Sequence, residues 1–226
     1  MITMCKRLSI FLIVIPILFT VFAVSDHGFF CRAGVSLSCA AIVWLTAGLE
    51  LRRTKWWVVA GLIVSVFGDW FMVQRGNNPN LFICAICLFF MAHACFCVFC
   101  LVNGRINKWF LLVLLMGYLP FFFVALRPAL MPQPALLVAV LAYLLMSCVS
   151  LAAAVGLRLP TVVRVIYIVG IALFVFSDTI IALRVFAKYN DLSFLILPTY
   201  FASHVVLALA LTLMGSFFDR KSRIFL

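Results

Sequence analysis

The 226-residue chain is poor in acid: six Asp and Glu stand against 17 Lys and Arg, and charged residues of either sign make up only 10% of it. The six acids are scattered, so there is no acidic tail. No polar stretch is long enough for a separate soluble domain, and residues 1–226 read as one membrane-embedded domain. The basic excess collects on no soluble segment, which argues against a nucleic-acid partner. It lies at the edges of apolar runs, where membrane proteins carry it. The sequence after the first apolar run lacks a small-x-small cleavage site. Lys6-Arg7 and that run therefore read as a retained first span, not a cleaved signal peptide.

What is abundant is apolar surface: 68% of the residues are hydrophobic, where a soluble domain is nearer half. Spans of about 17–25 mostly apolar residues are needed to cross a bilayer. Eight such stretches occur: Leu8–Val24, Ala33–Glu50, Trp56–Val73, Leu81–Val102, Trp109–Leu126, Pro134–Gly156, Val163–Ala187 and Phe194–Phe217. The breakers fall between them, at Asp26-His27-Gly28, Gly76-Asn77-Asn78-Pro79, Asn103-Gly104-Arg105 and Lys188-Tyr189-Asn190-Asp191. Lipid offers backbone groups no hydrogen bonds, so the spans must be helices; the periodicity is wrong for a barrel. The expected fold is an all-α membrane protein of eight transmembrane helices. With the N-terminus inside, twelve Lys and Arg fall on the cytoplasmic side against five outside, which predicts both termini in the cytoplasm.

Nine cysteines lie almost all inside spans, and Cys84-x-x-Cys87 with Cys95, Cys97 and Cys100 occupies one helix. Cysteine is a small apolar residue compatible with lipid. A metal would need converging thiolates, and Cys95 and Cys97 point in different directions on one helix. No metal site is expected.

Ionisable groups inside a bilayer are costly, by about 2.5–3.5 kcal/mol at a helix centre, and mark function by default. Two carboxylates lie deep in spans, Asp69 and Asp178, together with two histidines, His93 and His204. Glu50 sits at a helix end beside Arg52 and Arg53, as an interfacial residue would. The two Asp are 109 residues apart and the two His 111 apart. Each half of the chain thus carries Asp on its third span and His on its fourth, and Phe67-Gly68-Asp69 echoes Phe176-Ser177-Asp178. This pattern predicts a 4+4 internal repeat, parallel because each half has an even number of spans. It also brings the four residues to one depth around a central polar cavity. The bland alternative is that each Asp merely bonds a neighbouring helix. Tyr200 and Asn190 are further candidates to line the site. Arg32 and Arg184 would snorkel to headgroups or bind a lipid phosphate. Trp56, Trp57 and Trp109 fit an interfacial belt.

Phe67-Gly68-Asp69, Phe90-Met91-Ala92-His93, Phe176-Ser177-Asp178 with Ala182 and Phe186, and Tyr200-Phe201-Ala202-Ser203-His204 together resemble the YhhN family of lysoplasmalogenases. The resemblance spans about Arg32 to Leu213. It departs from the family's common pattern at Arg32-Ala33, where a Lys-Pro pair is usual, and at Phe96, where a Tyr is usual. The resemblance implies an eight-helix membrane hydrolase. Such an enzyme cleaves the vinyl ether of lysoplasmalogens to a fatty aldehyde and glycerophosphoethanolamine or glycerophosphocholine. It carries Asp69 and Asp178 over as the catalytic pair.

That chemistry needs a proton donor to the alkenyl carbon and a group to orient water on the oxocarbenium ion that forms, as two carboxyls do in glycoside hydrolysis. His93, His204, Tyr200 and Ser177 are the expected positioning residues, and Arg32 and Arg184 the expected headgroup contacts. No cofactor is required. The partners are a lysophospholipid and membrane lipids, and the setting is a bacterial inner membrane. Midplane Asp and His also suit a proton-coupled transporter of small solutes or lipids. Against that reading, the spans carry few Gly or Pro interruptions. An intramembrane aspartyl protease would want Gly-x-Gly-Asp, and position 66 is Val66. A lipid-binding protein without turnover is the remaining class.

Overall fold

The computed structural model describes residues 12–25, 28–46 and 53–222. Cys5, Lys6, Arg7, Asp26, His27, Glu50, Arg52 and Arg223 lie outside the described residues. Eight helices follow in order: α1 (Val14–Val24), α2 (Gly28–Thr46), α3 (Lys55–Gln74), α4 (Pro79–Val102), α5 (Lys108–Leu130), α6 (Pro134–Val155), α7 (Thr161–Phe186) and α8 (Ile196–Ser222). Seven of them, α2 to α8, are long and apolar enough to cross a membrane; α1 has 11 residues in its described helix. Among the described residues there is no strand, only an isolated bridge between Gly104 and Leu157.

The helix starts follow local chemistry. Asn78 accepts from the Asn80 N–H with Pro79 at the first helical position, and Asn107 accepts from the Phe110 N–H. Both supply acceptors to otherwise orphaned donors. Pro120 interrupts the α5 ladder, and a π turn over Phe122–Leu126 follows it. Helix α2 begins at Gly28, earlier than the expected Ala33, so Arg32 stands one turn inside it and not at a span's edge.

The helices close into a ring. α2 packs on α3, α3 on α4, α4 on α6, α6 on α7, α7 on α8, and α8 back on α2. Helix α1 lies outside against α2 and α8, and α5 lies outside against α6 and α7. Helices α3 and α7 turn comparable stripes inward: Val58, Leu62, Ser65 and Asp69 on one, Tyr167, Ile171, Phe174 and Asp178 on the other. Both follow the 3.6-residue period of a helix face.

Gly61 lets the Phe96 ring lie on α3, since a Cβ there would meet ring carbons at 2.5 Å. Gly170 does the same for Leu207 on α7, at 2.8 Å. Outward-facing Leu, Val, Ile and Phe side chains clothe the bundle. Trp44, Trp56, Trp57 and the 81%-exposed Trp109 gather at one end, as an interfacial belt requires. At that end the α4–α5 and α6–α7 turns are laced by Arg105 N–H to Gly156 O and Arg158 N–H to Asn103 O.

Candidate active site

Asp178, on the inward stripe of α7, is bonded from two helices. The Tyr143 hydroxyl on α6 donates to its Oδ2 at 2.5 Å, and His93 Nε2 on α4 lies 3.3 Å from the same oxygen. Its side chain keeps 13% exposure while His93 is fully buried. The carboxyl is therefore fixed by a phenol and an imidazole and still reaches open space.

Asp69, on the matching stripe of α3, is 7% exposed and accepts from the Tyr200 hydroxyl on α8 at 3.1 Å. Arg32 on α2 is close enough to act on it electrostatically. The extra turn at the start of α2 is what brings this arginine into the bundle. His204, one turn beyond Tyr200, pairs through Nδ1 with the Ser36 hydroxyl of α2 at 2.9 Å.

Phe174 stands between the two carboxyl groups' networks. Its ring lies 4.5 Å from His93, 5.2 Å from Tyr200 and 5.6 Å from His204. Phe89 meets Tyr200 edge-on at 5.9 Å and Phe174 at 6.2 Å. Both Asp69 and Asp178 act electrostatically on Tyr200. The structure thus brings Asp69, Asp178, His93, His204 and Tyr200 into one neighbourhood, arranged as two polar groups around an aromatic centre.

Two cavities of about 50 Å³ flank Tyr143, and Asp178, Val140 and Ala182 line both. One runs along α5 past Tyr118, Leu126 and Thr179; the other runs along α4 past Phe82, Ile86 and Phe89. Each has room for a few waters, at on the order of 10–15 Å³ per water. Their walls are otherwise mostly apolar. A carboxyl held this way can exchange a proton with a molecule whose remaining surface is hydrocarbon.

Ser177 is turned elsewhere: it is fully buried and its hydroxyl donates to the Ile196 carbonyl at 3.0 Å, tying α7 to the start of α8. Arg184 is exposed near the end of α7, six residues beyond Asp178. Asn190 lies exposed in the turn after α7. Tyr143 and Ser36 were not singled out from sequence. A signal for both existed: Arg32 and Tyr143, and likewise Ser36 and Ser147, are separated by 111 residues, the same interval as the two histidines. The Cys84 and Cys87 side chains are exposed on α4, and among the described residues no group of three His, Cys, Asp or Glu is placed to hold a metal.

No curated protein and no solved structure matches the chain. A family model does, over residues 29–211, a stretch that includes both carboxyls, both buried histidines and the tyrosines that bond Asp69 and Asp178. The chain is a member of the YhhN family.

Proposed function

We propose that this protein is a lysoplasmalogenase, a membrane hydrolase that splits the vinyl ether of a lysoplasmalogen into a fatty aldehyde and glycerophosphoethanolamine or glycerophosphocholine. The observation that carries this reading is Asp178, held by Tyr143 and His93 and lining two apolar cavities within the bundle.

Asp178 gives a proton to the outer alkenyl carbon. The π pair forms the new C–H bond, and the ether oxygen shares the positive charge left on the adjacent carbon. Water adds to that carbon, and Asp69 takes the water's proton. The hemiacetal then loses its glycerol oxygen with a proton, giving aldehyde and alcohol. Tyr143 and His93 hold the donor, Tyr200 and Arg32 hold the acceptor, and His204 braces the α8 side. Access supports Asp178 as the donor, because it lines both cavities.

We infer further that the ring is two parallel four-helix repeats with both termini on the cytoplasmic side of a bacterial inner membrane. Matching contacts support the repeat: α3 on α4 and α7 on α8, α2 on α3 and α6 on α7, α8 on α2 and α4 on α6. Phe89, Ala92, His93, Phe96 and Cys97 of α4 are buried, and so are Tyr200, Ser203, His204, Leu207 and Ala208 of α8, each 111 residues on. The bias of Lys and Arg toward one set of turns supports the orientation.

The test is aldehyde release by purified protein from a defined lysoplasmalogen. Wild type should turn over, and Asp178→Asn should lose about 10²–10⁴-fold, the scale of a general acid. Absence of turnover with either headgroup from folded wild type, accompanied by proton-coupled solute flux in proteoliposomes, would replace this reading with the transporter.

A further inference from the structure

At the end of the bundle opposite the tryptophan belt, a third cavity of about 390 Å³ lies where the α3–α4 turn meets the start of α6 and the end of α7. Its polar lining includes Arg75, Asn78, Gln133 and Lys188, and its floor is Phe82 and Phe186. These two rings, 6.1 Å apart, also line the α4-side cavity that reaches Asp178. The wide polar mouth and the narrow apolar cavity therefore meet at one pair of aromatic rings.

The mouth is built for an anion. Arg75 sits with its guanidinium carbon 4.5 Å from the centre of the Phe82 ring. Partial burial and the nearby charge of Arg184 both push Arg75 below its ordinary value. Among the described residues the one side-chain ion pair within 4 Å is His93 with Asp178, deeper in the bundle. Arg75 and Lys188 thus share a cavity, with Arg184 adding to the field, and among the described residues none of the three has a carboxylate within 4 Å. Lys188 has φ +59°, an uncommon conformation for a residue other than Gly or Asn, and in it lines the mouth. Like charges gathered in a concave, partly desolvated place raise the local concentration of an anion. Phe186 lies eight residues after Asp178, roughly 12 Å along the helix at 1.5 Å per residue.

We propose that this mouth binds the phosphate of a single-chain phospholipid, with Arg75 and Lys188 on the phosphate and the chain passing between Phe82 and Phe186 toward Asp178. The proposal rests on the reading of Asp178 as the reacting carboxyl. It moves headgroup recognition from the arginine inside α2, which serves Asp69, to the α3–α4 turn. A free phosphate shares the recognised chemistry, so the test must separate the two sources.

The experiment measures binding to purified protein in a neutral detergent, by native mass spectrometry. The probes are an acyl lysophosphatidylethanolamine, a monoacylglycerol of the same chain, and inorganic phosphate. The phosphate-bearing lipid should bind about tenfold or more tightly than the monoacylglycerol, and Arg75→Gln and Lys188→Asn should each remove most of that preference. Asn suits position 188 because it tolerates positive φ. Equal binding of both lipids to wild type, or an undiminished preference in both variants, would overturn the proposal. So would inorganic phosphate binding as tightly as the lipid, which would leave a simple anion site. Neither lipid carries a vinyl ether, so binding is read independently of hydrolysis. Selective binding without aldehyde release from a lysoplasmalogen would keep this mouth and remove the ether-hydrolase reading. Aldehyde release with unselective binding would do the reverse.

Discussion

Tyr143 on α6 donates its hydroxyl to Asp178 on α7 across 2.5 Å, between the two cavities that flank the carboxyl. In Tyr143→Phe the Oδ2 atom would keep only His93, at 3.3 Å. The ring contact with His93, 5.6 Å between centroids, would survive, so the fold should hold. A hydrogen bond between neutral groups, as here with Asp178 carrying its proton, contributes about 0.5–1.5 kcal/mol, which corresponds to roughly a 2–10-fold fall in kcat. The check is aldehyde release beside thermal unfolding of the same preparation. An unchanged kcat would remove Tyr143 from the reaction, and a parallel fall in Tm would make its role structural.

Asp69→Asn should also lower turnover, by about 10²-fold or more if it takes the water's proton. The loss should appear in kcat with KM little changed, because Asp69 is only 7% exposed and is bonded to Tyr200. Steady-state kinetics over a range of substrate separates the two. A rise in KM at constant kcat would instead make Asp69 part of substrate binding.

The fold was legible because lipid allows few solutions. Long apolar runs broken by Gly76-Asn77-Asn78-Pro79 or Asn103-Gly104-Arg105 can only be helices joined by turns, and seven helices of spanning length follow. Asp69, Asp178, His93 and His204 were legible as outliers, being polar groups in hydrocarbon. Tyr143 was not, since a tyrosine in an apolar helix is ordinary and only its partner across the bundle gives it a role. Arg32 reads as a span-edge residue because it is a charge only four residues past the Asp26-His27-Gly28 turn. Its interaction with Asp69 is a tertiary matter. The π turn after Pro120 and the capture of the Ser177 hydroxyl by Ile196 likewise depend on neighbours that sequence spacing does not name.

Ser36→Ala should destabilise the protein more than Ser147→Ala. The Ser36 hydroxyl bonds His204 across helices at 2.9 Å, and His204 Nε2 has no hydrogen-bond partner among the described residues. Removing the hydroxyl would leave a fully buried imidazole with neither nitrogen bonded, at a cost of about 1–3 kcal/mol. The Ser147 hydroxyl bonds the Tyr143 carbonyl one turn back on its own helix, a contact whose loss costs little. Thermal unfolding of both variants in the same detergent gives the comparison. Equal Tm values would mean that the Ser36–His204 bond adds nothing to stability.

The approach of α3 to α4 gives a sharper test of packing. A Cβ on Gly61 would stand 2.5 Å from the Phe96 ring, which is fully buried. Gly61→Ala should therefore cost about 1–3 kcal/mol as an overpacked core. Gly170→Ala, whose Cβ would meet the Leu207 side chain at 2.8 Å, should cost less, because a branched aliphatic chain adjusts more easily than a ring. Phe96→Leu alone should also destabilise, by opening a void. The double variant Gly61→Ala with Phe96→Leu places the methyl where the ring had been, so the two losses should partly cancel. A double-mutant cycle on unfolding free energies would show a coupling of about 0.5–3 kcal/mol for residues in such contact. Strictly additive losses would mean that the glycine is not what admits the ring.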